Sequence, residues 1–258
     1  MAFATVNYYS HKLAKASQFN IVFPDSPDAK RPWSTLYLLH GLSDDCTTWM
    51  RRSCPERYTL GYPLVVVMPD GGRGWYTNAV EGDPYEDDLM DQVMGLVEAD
   101  FPVKAQRSAR AIGGLSMGGF GAIKLALKYP DRFVSAHSHS GIFGLCREPT
   151  EAEELVPELY RIFGTHPKGC PDDPYVLAEN AKPRSLPALR IDCGLEDPFL
   201  LQNRHFHEHL TNCKIAHDYE ESPGTHNWSY WDRQFREALA FHARHLKLPD
   251  EPEHAQLR

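Results

Sequence analysis

The stretch SARAIGGLSMGGFGAIKLALKYP, residues 108–130, restricts the fold of this chain more than any other. Its first nine residues, 108–116, read as the central strand. Beyond Ser116 the pattern changes: Ile123 and Leu127 stand four apart and Pro130 lies past the end, so a helix follows. Between the two, Gly114-Leu115-Ser116-Met117-Gly118 fits Gly-x-Ser-x-Gly, a motif that needs a strand, a sharp turn and a helix in that order. The need is steric. A serine on so tight a turn exposes its hydroxyl above the sheet, and a side chain two residues to either side would obstruct it. Glycine at 114 and 118 removes the obstruction, while Gly119 and Gly121 let the helix lie close on the strand.

The same strand-then-helix rhythm continues along the chain and predicts an α/β fold, a mostly parallel sheet with crossover helices on both faces. Residues 34–41 (STLYLLHG), 62–70 (YPLVVVMPD), 188–194 (ALRIDCG) and 214–222 (KIAHDYEES) read as further strands. LMDQVMGLVEADF places Leu89, Val93, Leu96 and Val97 on one helical face, LLQNRHFHEHLTN has Phe206 and Leu210 four apart, and Phe235, Leu239 and His242 share a face of the last helix. NYYSHKL and QFNIVFPDS, around a polar KAS, read as an antiparallel hairpin at the sheet edge. Residues 143–185 break the rhythm with six prolines, from Pro149 to Pro183, and read as a lid inserted over the strand tips of a single domain. The tail, 249–258, is polar and expected to fray.

Composition narrows the function. With 258 residues and 42% hydrophobic content the chain can bury one large core. Its 27 Lys+Arg against 35 Asp+Glu leave a net charge of −8, which argues against nucleic acid as partner. No apolar run approaches the roughly 18 residues of a membrane helix, so no membrane partner is expected. The start, MAFATVNYYSHKLAKA, lacks the basic and apolar regions of a secretory signal. Six cysteines are scattered without C-x-x-C pairs, which fits free thiols in a reducing, cytoplasmic setting.

A serine hydroxyl attacks poorly unless a base takes its proton and an acid orients that base. In a sheet of this kind the acid and then the histidine follow the serine in the chain. Asp197, in the loop after RIDCG, and His226, in the Gly-rich loop of YEESPGTHNWSYW, both fall beyond strand carboxyl ends, the rim where Ser116 stands. Glu196 is the rival acid; Asp192 lies inside its strand and Asp70 precedes the serine. His137 and His139 sit in a possible strand and read as structural. His205 and His209 are four apart on a helix but lack a third ligand at a suitable spacing, so no metal is expected. Negative charge on a tetrahedral intermediate needs backbone donors: Met117, directly after the serine, and Leu42, in LLHGLSDD, where Gly41 lets the backbone approach and His40 can brace the loop. Trp49, Trp75, Tyr76, Phe199 and Trp228 fall near the strand tips and are the candidates for lining a substrate pocket.

Taken together, LLHGLSDD, VVVMPDGGRGWYTN, GGLSMGGFGAIKLAL, CGLEDPF and GTHNWSYW resemble the esterase D-like branch of the α/β-hydrolases, over about residues 15–245. That branch includes tributyrin, acetyl and feruloyl esterases, S-formylglutathione hydrolases and mycolyltransferases. The resemblance implies an α/β-hydrolase fold, Ser116 as nucleophile, Asp197 as acid, His226 as base, and Leu42 and Met117 as oxyanion donors. It further implies a serine carboxylesterase acting on small-molecule esters without a cofactor, and self-association into a homo-oligomer. The chain has His-Gly-Leu-Ser and Phe120 where S-formylglutathione hydrolases usually carry Ser-Gly-Leu-Thr-Cys and a histidine, so the tributyrin or acetyl esterase arm fits better. Feruloyl or acetyl-sugar esters, and transfer of the acyl group to an alcohol by the same residues, are the alternatives.

Overall fold

Every residue of strands β3 (Ser34–Leu39), β4 (Leu64–Pro69) and β5 (Arg110–Leu115) is buried, so both faces of the sheet must be covered. The computed structural model, which describes residues 2–24, 30–147, 156–182 and 185–249, shows how. These strands join β1 (Ala2–Ser10), β2 (Lys15–Phe23), β6 (Ser135–His139), β7 (Ala188–Gly194) and β8 (Asp218–Ser222) in one eight-stranded sheet, ordered β1-β2-β4-β3-β5-β6-β7-β8. Strands β3 to β8 run parallel; the β1–β2 hairpin is antiparallel and adds to the β4 edge.

Alternate positions along the strands feed two cores, because successive side chains point to opposite faces. Tyr37, Leu39, Val65, Val67 and Ile112 pack with Val93, Val97 and Ile123 on one face. Leu36, Leu38, Val66, Met68 and Leu115 pack with Trp49, Phe235 and Leu239 on the other. The helices Met94–Asp100 and Met117–Lys128 thus cover one side, and Thr48–Arg52 and Trp228–Leu246 the second. Strand β5 lies between β3 and β6, with Leu39 opposite Gly114 and Leu115 opposite His139, so the three strands end on one rim.

Four details differ from the sequence reading. The hairpin turns at residues 11–14, and the KAS triplet lies within β2, where Lys15 pairs with Ser10. The strand expected over 214–222 begins only at Asp218. Lys214, at φ 58°, and Ile215, whose N–H donates to Leu210 O at 2.9 Å, instead cap the preceding helix Leu200–Asn212. The helix that begins at Tyr85 passes through a wide π-helical turn, Asp88–Val93, before Met94–Asp100. Its buried face is therefore Leu89, Met90, Val93, Met94 and Val97, with Leu96 only half-buried. In the Pro-rich segment, Pro149, Pro183 and residues 151–155 lie outside the described residues, as do 250–258 of the polar tail. The remainder forms two short helices, Leu159–Phe163 and Pro174–Asn180. Ile162 and Arg161 accept backbone hydrogen bonds from Val80 and Glu81 at 3.0 and 2.8 Å, and Phe163 meets Phe120 edge to face.

Lys124 on the helix Met117–Lys128 is fully buried, and its ammonium is saturated. It donates to Glu86 Oε2 at 2.6 Å, Tyr76 O at 2.5 Å and Thr77 Oγ1 at 3.0 Å. Glu86 accepts in addition from Tyr129 and Lys128, at 2.6 and 2.7 Å. The network fixes the loop after β4 against the helix that starts at the serine turn. Burial alone would raise the Glu86 carboxyl, but the two lysines and Tyr129 outweigh it and bring it from 4.5 down to about 2. A carboxyl lowered on folding contributes stability above its unfolded value, and that contribution disappears as the pH falls through its folded value. Glu86→Gln removes the nearer carboxylate of a buried ammonium, leaving it only Asp172 at 3.4 Å, and is expected to cost up to roughly 3–5 kcal/mol near neutral pH. Denaturant unfolding of wild type and variant should show the gap constant above pH 4.5 and shrinking toward pH 2; a gap independent of pH would contradict the ionised network.

Candidate active site

Ser116 leaves the end of β5 with φ 53° and ψ −117°, a conformation that few non-glycine residues adopt, and the helix begins at the next residue. Its N–H donates to His139 O at 2.8 Å and its carbonyl accepts from Phe120 at 2.9 Å, which locks the turn. A Cβ on Gly118 would stand 2.5 Å from Leu39 O and 2.6 Å from His40 O, so only glycine permits the helix to sit this close to the end of β3.

Asp197 and His226 arrive on two loops that hold each other. After β7, Leu195 N–H donates to Ser222 O and Glu196 N–H to Gly224 O, both at 3.0 Å; in return Gly224 N–H donates to Glu196 Oε2 at 2.6 Å. Asp197 N–H closes its own turn on Gly194 O at 3.1 Å. The result places Asp197 Oδ2 2.9 Å from His226 Nδ1, and His226 Nε2 3.0 Å from Ser116 Oγ. A carboxylate only accepts, so Nδ1 carries the proton and Nε2 is left as acceptor for the serine hydroxyl. Burial pushes the Asp197 carboxyl up, but the hydrogen bond and charge of His226, with the Phe199 amide, override it and hold it below the usual range. The three residues chosen from the sequence therefore meet. Glu196 is exposed and engaged with Gly224, and Asp192 faces His139 at 2.8 Å and the Tyr230 hydroxyl at 3.1 Å. Asp70 lies 3.6 Å from His40 and accepts from Gly72 N–H.

Beside the serine, a Cβ on Gly41 would lie 3.7 Å from Ser116 Cβ and 2.7 Å from Leu115 Cδ1, so the loop after β3 presses on the serine turn. Among the described residues neither Leu42 N–H nor Met117 N–H has a hydrogen-bond acceptor. Met117 is the first helical residue, where an N–H has no partner within the helix. His40 braces this loop: Gly71 N–H donates to its Nε2 at 2.8 Å and its Nδ1–H donates to Gly41 O at 2.8 Å. The Tyr76 hydroxyl accepts from His40 N–H and donates to His40 O.

The aromatic set expected to line a pocket is placed differently. Trp49, Trp75 and Tyr76 are at most 1% exposed and have no open surface to offer a ligand. The indole of Trp49 donates to Leu39 O at 3.0 Å, Trp75 packs edge to face on Phe120, and Tyr76 serves the His40 loop. Phe199 and Trp228 are half-buried; the Phe199 N–H donates to Asp197 Oδ1 at 2.9 Å and its ring meets His226, while Trp228 packs between Trp49 and Trp231. Sequence reasoning assigned nothing to the end of β6, where Ser140, buried at φ 51°, accepts from the Trp231 indole at 3.2 Å. The only written signal for it is a polar residue at a strand end on the rim. His137 and His242 lie 2.7 Å apart in the core; burial lowers both, His242 to about 3, so both are neutral. His209 lies 3.1 Å from Tyr175 O, away from the serine.

The "Putative esterase" family model matches residues 10–242. An acetyl esterase of Caldicellulosiruptor saccharolyticus is 29% identical, over 93% of this chain and 97% of its own length. The Staphylococcus aureus fluorophosphonate-binding serine hydrolase F superposes with a TM-score of 0.86 at 31% identity, covering 93% of this chain and 98% of that one. An S-formylglutathione hydrolase from Staphylococcus aureus gives a TM-score of 0.79, also at 31% identity with 93% and 98% covered. With the serine turn, the sheet order and a family match over nearly the whole described chain, this protein belongs to that esterase family and is a serine esterase of the α/β-hydrolase fold.

Proposed function

We propose that this esterase hydrolyses short-chain carboxylic esters through an acyl-enzyme on Ser116. One observation carries the reading: a single imidazole lies 2.9 Å from Asp197 and 3.0 Å from Ser116 Oγ. His226 takes the hydroxyl proton as Ser116 attacks the ester carbonyl, and Asp197 stabilises the imidazolium that forms. The carbonyl oxygen, now negative, rests on the Leu42 and Met117 amides. His226 then protonates the leaving alcohol, and water repeats the sequence on the acyl-enzyme. No step calls for a metal or an organic cofactor.

Preference for a small acyl group is supported by the packing behind the serine. Phe120, one helical turn on, is fully buried between Trp75 and Phe163, which leaves the space on that side filled with rings. The name of the acetyl esterase relative agrees with this. The S-formylglutathione hydrolase at the same identity keeps a formyl thioester in view, but His-Gly-Leu-Ser at 40–43 and Phe120 favour an oxygen ester. We read the whole chain as one domain, with residues 143–185 as a lid that shapes the alcohol side, and the active form as a homo-oligomer. Its six cysteines, all free, suit a reducing cytoplasm. Among the described residues no helix is long and apolar enough to cross a membrane.

Ser116→Ala should lower kcat by on the order of 10⁶-fold. Asp197→Asn, which favours the wrong imidazole tautomer, should cost about 10⁴-fold. Both are read by steady-state hydrolysis of p-nitrophenyl butyrate, and wild-type turnover in Ser116→Ala would remove the nucleophile. Across acetyl, butyryl, octanoyl and dodecanoyl p-nitrophenyl esters, kcat/KM should peak at acetyl or butyryl; a maximum at dodecanoyl would refute the small acyl site.

A further inference from the structure

The imidazole of His226 is held by more than its two hydrogen bonds. Phe199 and Trp231 both meet it edge to face, with centroids 4.9 Å away and interplanar angles of 72° and 88°. Trp231 also donates its indole N–H to Ser140 Oγ at 3.2 Å. Ser140 is fully buried, and its N–H donates to Asp192 O at 2.8 Å. It holds a left-handed backbone at φ 51°, a strain that persists only where its surroundings impose it. Ser140 is also one of the smaller influences that lower the Asp197 carboxyl, after His226 and the Phe199 amide. On its other side Trp231 meets Trp228 at 5.5 Å and 87°, and Trp228 meets Trp49 at 5.1 Å and 87°. The Trp49 indole in turn donates to Leu39 O, where β3 ends and the Leu42 loop begins. A row of perpendicular rings thus runs from the strand that feeds the proposed oxyanion donor Leu42 to the proposed base.

Resting on the reading of His226 as base, we infer that Trp231 is a positioning residue of the reaction, fixing the imidazole through its ring and the acid's surroundings through its hydrogen bond to Ser140. The mechanical need is plain. His226 is partly exposed, its side chain has staggered alternatives, and the ring must stay aligned while its proton moves between serine and leaving group. Edge-to-face rings give such alignment without competing for either imidazole nitrogen.

The test compares Trp231→Leu, Trp231→Phe and Ser140→Gly with wild type and Ser116→Ala, on p-nitrophenyl butyrate. Each protein's Tm and the low-field NMR resonance of the His226 Nδ1 proton are recorded alongside. Trp231→Leu should lose about 30-fold in kcat with KM within about twofold, inside the roughly 10²-fold that a 1 Å misplacement costs. Trp231→Phe keeps a ring and should recover most of this loss and retain the low-field proton, which Trp231→Leu broadens. Ser140→Gly relieves the positive φ, so its Tm should hold or rise while kcat falls several-fold. The inference is overturned if Trp231→Phe and Ser140→Gly keep kcat within about twofold with Trp231→Leu doing the same, or if losses appear in KM alone or match the unfolded fraction. Should Trp231→Leu not fold, Ser140→Gly decides: kcat within about twofold of wild type in that variant overturns the inference. Activity surviving in Ser116→Ala would defeat the reading of the nucleophile; an inactive Ser116→Ala beside fully active Trp231 variants would defeat only the positioning role.

Discussion

A carboxylate accepts hydrogen bonds and donates none, and the rest of this site follows from where one carboxylate sits. With Asp197 2.9 Å from Nδ1 of His226, the imidazole proton is fixed on that nitrogen and the lone pair of Nε2 is turned to Ser116. The carboxylate has to be charged for this to hold. It is largely buried, which disfavours charge, and is kept ionised by the imidazole and the Phe199 amide. Both loops that carry these groups are fastened to each other by Leu195, Glu196 and Gly224 before either reaches the serine. The pair is therefore a property of the β7–β8 rim, presented to the turn at the end of β5.

The sheet supplies the other half. Parallel strands put every carboxyl end on one side, so residues separated by 110 positions, Ser116 and His226, come within hydrogen-bond distance without either loop being long. Beneath the rim the aromatic residues act as mounts. Tyr76 and His40 hold the loop of Leu42, while Trp49, Trp228 and Trp231 connect the end of β3 with the imidazole. Lys124 and Glu86 do the same for the loop after β4 by means of charge.

What could be read in the sequence was whatever depends on local pattern and chain order. The serine turn was legible because glycine at 114 and 118 has a steric cause, and Asp197 and His226 because each follows a strand end after the serine. Features set by packing were not. Lys124, in IKLALK, has the look of a solvent-facing lysine, and nothing in its neighbours tells that it is sealed against Glu86. Trp49, Trp75 and Tyr76 lie near strand tips in sequence but turn inward, where Trp49 donates to Leu39 O, Trp75 packs on Phe120, and Gly71 and Gly121 leave room for Tyr76. The start of β8 went to a helix cap at Lys214 and Ile215, a choice made by the left-handed turn and not by hydrophobicity. Ser140 shows only as a polar residue after a strand end, which does not tell it from other rim residues.

The most direct measurement of the central claim is covalent. Reaction with a fluorophosphonate, followed by intact-mass analysis and peptide mapping, should give one adduct per chain, on Ser116, and labelling should slow by orders of magnitude in His226→Ala. An adduct on another residue, or undiminished labelling of the His226 variant, would contradict an imidazole-activated Ser116.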